Sequence, residues 1–167
     1  MKKVRAEGQK GRWGRFTSAM PTPKPDGPLF VLTKISTKLH VAIFVKTKGR
    51  VMGTFDDAPL LVLHHRGAKS GQPRQTPVIY LEDGPNLVVV ASMGGQDRNP
   101  SWFHNLRAHP DVEVEIRGER RPVTARRATQ AEADALWPQL SRMWPAFQTY
   151  KTRTDREFPV FLLAPRS

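Results

Sequence analysis

Apolar residues recur along this chain in two rhythms. From Pro59 to His65 they form a short unbroken run, which predicts a buried strand. Thr76–Glu82 and Asn86–Ser92 are two more strand-like runs, and Asp83-Gly84-Pro85 between them predicts a hairpin turn. Asp111–Arg117 alternates Val112, Val114 and Ile116 with Glu113 and Glu115, the pattern of a strand with one face in the core. Arg121–Ala128, after a turn at Gly118-Glu119, turns Val123 and Ala125 inward, and Pro159–Ala164 makes a sixth strand. The helical rhythm appears in Leu29–Lys48, in Pro100–Ala108 and after Thr129. Asn99 before Pro100 reads as a cap followed by proline at the first helical position. Thr129 and Glu132 read as a capping box for a helix that starts at Gln130 and is broken by Pro145, with a shorter helical piece beyond. Six short strands with hairpin-like connections predict a small, mostly antiparallel barrel with helices at its rim.

A hairpin sets the entry of one strand beside the exit of the other. Arg74 and the Met93-Gly94-Gly95 loop are therefore expected at one end of the sheet, with Lys69 and Ser70 close by. Cations, glycine backbone and a helix start together have the chemistry of an anion site. Gly67-Ala68-Lys69-Ser70-Gly71 lacks the glycine spacing of a Walker A loop, and a lysine-bearing turn taken alone is most often a solvated tip. His64 and His65 are neighbours on a strand, so at most one faces a pocket. Trp144, Phe147 and Tyr150 follow at spacings of three, an aromatic stripe of the kind that usually packs in a core. The Tyr150 hydroxyl nonetheless offers a donor to a substrate carbonyl.

Charge sharpens the division of the chain. Of 167 residues, the first 50 carry 12 lysines and arginines against 2 acids, and the remainder 15 against 13. Residues 1–28 are too polar to offset their ordering entropy and are expected to form a disordered tail, with the folded domain at 29–167. The helix 29–48 carries Lys34, Lys38 and His40, so it reads as an amphipathic helix rather than a span. The basic segment suits reversible contact with an anionic bilayer, which implies a cytoplasmic protein visiting the inner face of the cell membrane. The near-neutral body lacks a basic strip interleaved with aromatics, which argues against nucleic acid as the partner. There is no cysteine and no zinc-type histidine motif, so no disulfide or metal centre is expected.

Three blocks carry a resemblance: Gly67 to Pro77, Val88 to Gly95 with Asn99 to Leu106, and Leu136 to Leu140 with Pro145 to Tyr150 and Phe158 to Val160. In this order they resemble the deazaflavin-dependent nitroreductase and F420H2-dependent quinone reductase family. The resemblance implies a split β-barrel of the FMN-binding-like kind that uses reduced coenzyme F420, an actinobacterial hydride carrier, to reduce quinone-like acceptors. By match, Ala68, Lys69, Ser70 and Arg74 would hold the phosphate and acidic tail. Gln75, Thr76, Pro77, Val78, Ile79, Val90, Ala91, Ser92, Met93, Ser101, Trp102, Phe103, His104, Asn105 and Phe147 would complete the cofactor site. Trp144, Phe147 and Tyr150 would form the acceptor wall, with Tyr150 and then Ser92 as the donors to the acceptor oxygen. Met93 stands where a lysine is common in the family, and Phe103 and Phe147 where tyrosines are. These departures count against nitro compounds as acceptors and leave the cofactor expectation standing. The rival from the same fold is an FMN enzyme; the rival from another class is a nucleic-acid binder acting through the tail.

Overall fold

The structure, a computed structural model, describes residues 54–55 and 58–167. The expected tail 1–28 and helix 29–48 lie outside the described residues. Strand β1 is Thr54–Phe55, β2 Ala58–Arg66, β3 Pro73–Asp83 and β4 Asn86–Val90. A short 3₁₀ turn, Met93–Gly95, precedes helix α1, Ser101–Ala108. Strands β5, Asp111–Ile116, and β6, Glu119–Arg127, lead to helices α2, Gln130–Met143, and α3, Ala146–Lys151, and then to β7, Val160–Pro165.

Every strand pairing is antiparallel, in the order β1-β2-β3-β4-β7-β6-β5. A further β2–β5 pairing, with Leu63 opposite Val114, closes the sheet on itself. The result is a six-stranded antiparallel barrel with β1 as an appendage, and closure removes the free edges that would invite aggregation.

The barrel interior is apolar because period-two alternation sends Leu61 and Leu63, Val78 and Tyr80, and Val123 and Ala125 to the same side. Helix α1 stoppers one end, inserting Trp102, Phe103 and Leu106 into that core. The opposite face of β4 and β7 buries Val88, Val90, Val160 and Leu162 under Leu136 and Leu140 of α2 and under Trp144 and Phe147. Buried on both faces, β4 reads as an unbroken apolar run rather than an alternating one.

Several boundaries differ from the expected ones. β3 begins at Pro73, so Arg74 and Gln75 belong to the sheet, opposite His65 and His64. β4 ends at Val90, so Ala91 and Ser92 have left it. Asn99 does not cap α1: Pro100 occupies that position without a side-chain cap, and the Asn99 amide oxygen accepts from Arg156 instead. The capping box at Thr129 and Glu132 is present with both of its hydrogen bonds. Among the described residues, no helix is long and apolar enough to cross a membrane.

Candidate functional site

The first loop is tied shut by its own backbone. Gly67 N–H donates to the Gln72 carbonyl at 2.9 Å, and Gly71 N–H to the Gly67 carbonyl at 2.8 Å. A side chain at Gly67 would displace the Ser70 hydroxyl and press on the Arg74 guanidinium, so glycine here lets these groups converge as they stand. Lys69, Ser70 and Arg74 are exposed. Among the described residues neither Lys69 nor Arg74 has a carboxylate partner, whereas Arg120, Arg121, Arg126 and Arg127 on β6 are all ion-paired. Arg66, exposed at the end of β2 and opposite Pro73, adds a third cation to this end. Sequence reading passed over it, although its place just before the Gly67 turn was the available signal.

A buried polar chain fixes this loop to α1. Ala68 N–H donates to Asn105 Oδ1 at 2.8 Å, and the Asn105 amide nitrogen meets His65 Nδ1 at 2.9 Å. His65 Nε2 lies 3.0 Å from the Thr76 hydroxyl. With its amide oxygen engaged by Ala68, Asn105 must donate to His65 Nδ1, so the imidazole carries its proton on Nε2 and donates to Thr76. Asn105 and His65 are each about 5 % exposed. Asn105 therefore positions the loop, with both its amide oxygen and its amide nitrogen engaged within the fold.

Burial, with Arg74 nearby, lowers the His65 pKa to about 4. The folded imidazole stays neutral where an unfolded one, with a pKa near 6.5, takes a proton. The stability this contributes is complete above about pH 6.5 and is lost progressively down to about pH 4. It amounts to about 3 kcal/mol at order of magnitude. Urea unfolding of the wild type and of His65→Gln across this range should show the variant with the shallower acid limb. Parallel limbs would mean that His65 titrates as in the unfolded chain.

The second loop is held from outside. Met93, Gly94 and Gly95 have φ of 49°, 64° and 79°, three left-handed residues in succession. A Cβ on Gly95 would lie 2.7 Å from the Tyr150 carbonyl oxygen, so the loop touches α3 backbone to backbone. Arg153 donates to the Gly94 carbonyl at 3.3 Å. Arg156 donates to the carbonyls of Gln96 at 3.0 Å, Ala91 at 3.2 Å, Ser92 at 2.9 Å and Glu157 at 2.9 Å, as well as to Asn99. Burial lowers the Arg156 pKa against the opposing pull of Asp97, and a guanidinium stays charged under either influence. The sequence reading gave Arg156 no part in the site.

The remaining expected residues divide by direction. Pro77 and Ile79 are half-buried, and Ile79 packs on the outward side of β2 and β3 against Leu60 and Val62. Val78 between them points into the barrel, as do Ala91, Trp102 and Phe103. Trp102 and Phe103 make edge-to-face contacts with Phe161 at 6.0 and 5.8 Å, so both rings pack in the barrel core. Val90, Trp144 and Phe147 are buried in the second core and shape the site from beneath. Ser92, Met93 and Tyr150 are half-exposed, Gln75, Ser101 and His104 exposed. Gln75 reaches His64, whose other ring nitrogen contacts Glu115 at 3.0 Å, so His64 faces away from the His65 chain. Among the described residues the Tyr150 hydroxyl makes no hydrogen bond.

An antiparallel closed barrel with a cationic loop, a glycine loop and the half-exposed Tyr150 ring beside that loop defines a split-barrel protein suited to an anionic ligand. A sequence profile of the F420H(2)-dependent quinone reductase family matches residues 36–165. The F420H(2)-dependent quinone reductase Rv1261c of Mycobacterium tuberculosis is 38% identical over 138 residues, covering 77% of this chain and 89% of the relative. A solved structure titled as an F420-H2 dependent reductase, FDR-A, matches with a TM-score of 0.58 and 35% identity over 63% of this chain and 93% of its own. Another, described as a domain-swapped dimer, matches with a TM-score of 0.60 and 29% identity over 82% and 99%. The chain belongs to the F420H(2)-dependent quinone reductase family.

Proposed function

We propose that this protein is an F420H2-dependent oxidoreductase that reduces quinone-like acceptors. The observation that carries the reading is the pair of cations, Lys69 and Arg74, that have no carboxylate partner among the described residues, beside a loop pinned by Asn105. Exposed cations without counter-charges among the described residues, close to the Ser70 hydroxyl, suit a phosphate followed by carboxylates, which is the anionic part of F420. When bound, reduced F420 supplies the hydride. Lys69, Ser70 and Arg74 hold its charged end, and Pro77 and Ile79 offer an apolar ridge to its ring. Tyr150 stands beside the second loop with a hydroxyl, unbonded among the described residues, to donate to an acceptor oxygen as negative charge develops there. FMN also carries a phosphate but has no acidic tail, so the cation set favours F420. Separate fluorescence titrations with F420 and FMN test this. Tighter binding of F420 is expected, and tight binding of FMN alone would transfer the protein to the flavin enzymes.

The bilayer contact rests on charge: residues 1–50 carry a net +10 while the rest of the chain carries +2. Vesicles containing anionic lipid should pellet the full chain and leave a chain lacking residues 1–28 in solution. Equal behaviour of the two would remove the basic segment from any such role.

A further inference from the structure

The second loop does not hold itself. Its three left-handed residues include Met93, for which that backbone costs about 1 kcal/mol or more. Two glycines add conformational freedom that folding must remove. The internal hydrogen bonds are few: Gly95 N–H to the Ser92 carbonyl at 3.0 Å and Gln96 N–H to the Met93 carbonyl at 3.3 Å. Yet this loop presents Ser92 and Met93, and its far side bears on the backbone of Tyr150.

Arg156 supplies what is missing. Its guanidinium reaches residues on both sides of the left-handed turn: Ala91 and Ser92 before it, Gln96 and Asn99 after it. Its charge is spent on carbonyl and amide oxygens, for it has no carboxylate ion pair among the described residues, and its planar group lies 4.9 Å from the centre of the Phe158 ring. Phe158 is buried in the same core as Trp144 and Phe147, so the clamp stands on the base that carries the aromatic wall. A planar five-donor fork suits this array, and an ammonium on a flexible stem does not.

Resting on the functional reading above, we infer that Arg156 is a positioning residue that locks the Ser92 loop against the Tyr150 helix, setting the distance and angle between cofactor ring and acceptor. Anchoring of the cofactor's charged end belongs to the first loop, which Arg156 does not touch. The two roles therefore separate in kinetics. Loss of the clamp should lower kcat and leave F420 affinity near wild type, because misplacement by about 1 Å costs about a hundredfold in rate.

The test uses the full chain with Arg156→Ala and Arg156→Lys. F420 affinity is measured by fluorescence titration, and kcat and KM are measured with menadione, each with and without millimolar guanidinium. The expected result is a kcat about a hundredfold lower in the Ala variant, near-normal F420 affinity, and partial recovery of kcat by guanidinium but not by methylammonium. The Lys variant should remain slow, since charge without the fork does not restore the array. Asn99→Ala removes a single acceptor and should lower kcat in the same direction by less; it carries the test if the Ala variant does not fold. An unchanged kcat in folded Arg156→Ala, or losses of kcat and F420 affinity in equal measure with no rescue, would overturn the inference. Absence of quinone turnover in the wild type would instead strike at the functional reading, while retained F420 binding would limit the failure to the acceptor.

Discussion

Arg74→Ala should weaken F420 binding by about 1.5–3 kcal/mol, or roughly ten- to a hundred-and-fifty-fold, the worth of a hydrogen bond to a charged group. The side chain is exposed and lacks a carboxylate partner among the described residues, so its removal orphans no charge among them. Stability should change little for the same reason. Arg121→Ala is the matched control, because that guanidinium is held by Glu119 at 2.9 Å on the far hairpin. Arg74 is also one of the groups that hold the His65 pKa down. The variant should therefore titrate His65 at a higher pH, a change visible by NMR even without ligand. Unchanged F420 affinity in a folded Arg74→Ala protein would remove this arginine from the site.

Tyr150→Phe should lower kcat for a quinone by about ten- to a thousandfold, the scale of a lost oxyanion donor and somewhat below it. The ring would stay, with its edge-to-face contact on Phe147 at 6.2 Å and Arg153 5.6 Å above it. Only the hydroxyl is lost, and among the described residues it stabilises nothing in the fold. A donor aimed at developing charge acts more on the transition state than on the bound acceptor, so KM should move less than kcat. Ser92→Ala is the second variant. The Ser92 carbonyl is occupied by Gly95 and Arg156, while its side chain caps nothing. A wild-type rate in Tyr150→Phe and a slow Ser92→Ala would hand the donor role to the serine.

Much of the barrel was legible in the chain. The alternation at Val112, Val114 and Ile116 and the apolar run at Leu87–Val90 report local facts, namely which side chains need burial on one face or both. The capping box at Thr129 and Glu132 is local too, three residues wide. What the sequence hid depends on partners far along the chain. Asn99 reads as a helix cap until Arg156, 57 residues later, takes its side chain. Nothing near Asn105 in the chain shows that Ala68 and His65, 37 and 40 residues earlier, engage both ends of its amide. β3 extends back to Pro73 because β2 runs on to Arg66 and supplies the ladder, which neither segment announces alone. Trp102 and Phe103 sit at a helix start beside glycine backbone, a position that suits ligand stacking and core plugging equally. The decision falls to the barrel interior, which offers Phe161.

The same distinction organises the site. The residues proposed to meet the ligand, Lys69, Arg74 and Tyr150, stand out by chemical type in the chain itself. Those that hold them in place, Asn105, His65 and Arg156, act through bonds that only the closed barrel brings together.

The central claim is the reaction, and stopped-flow mixing addresses it without any variant. Protein loaded with reduced F420 is mixed with menadione, and the return of oxidised F420 is followed by its absorbance. Rapid oxidation is expected, saturating with menadione concentration and far exceeding the rate with free reduced F420. Oxidation no faster than in the absence of protein, for menadione and for other quinones alike, would contradict it.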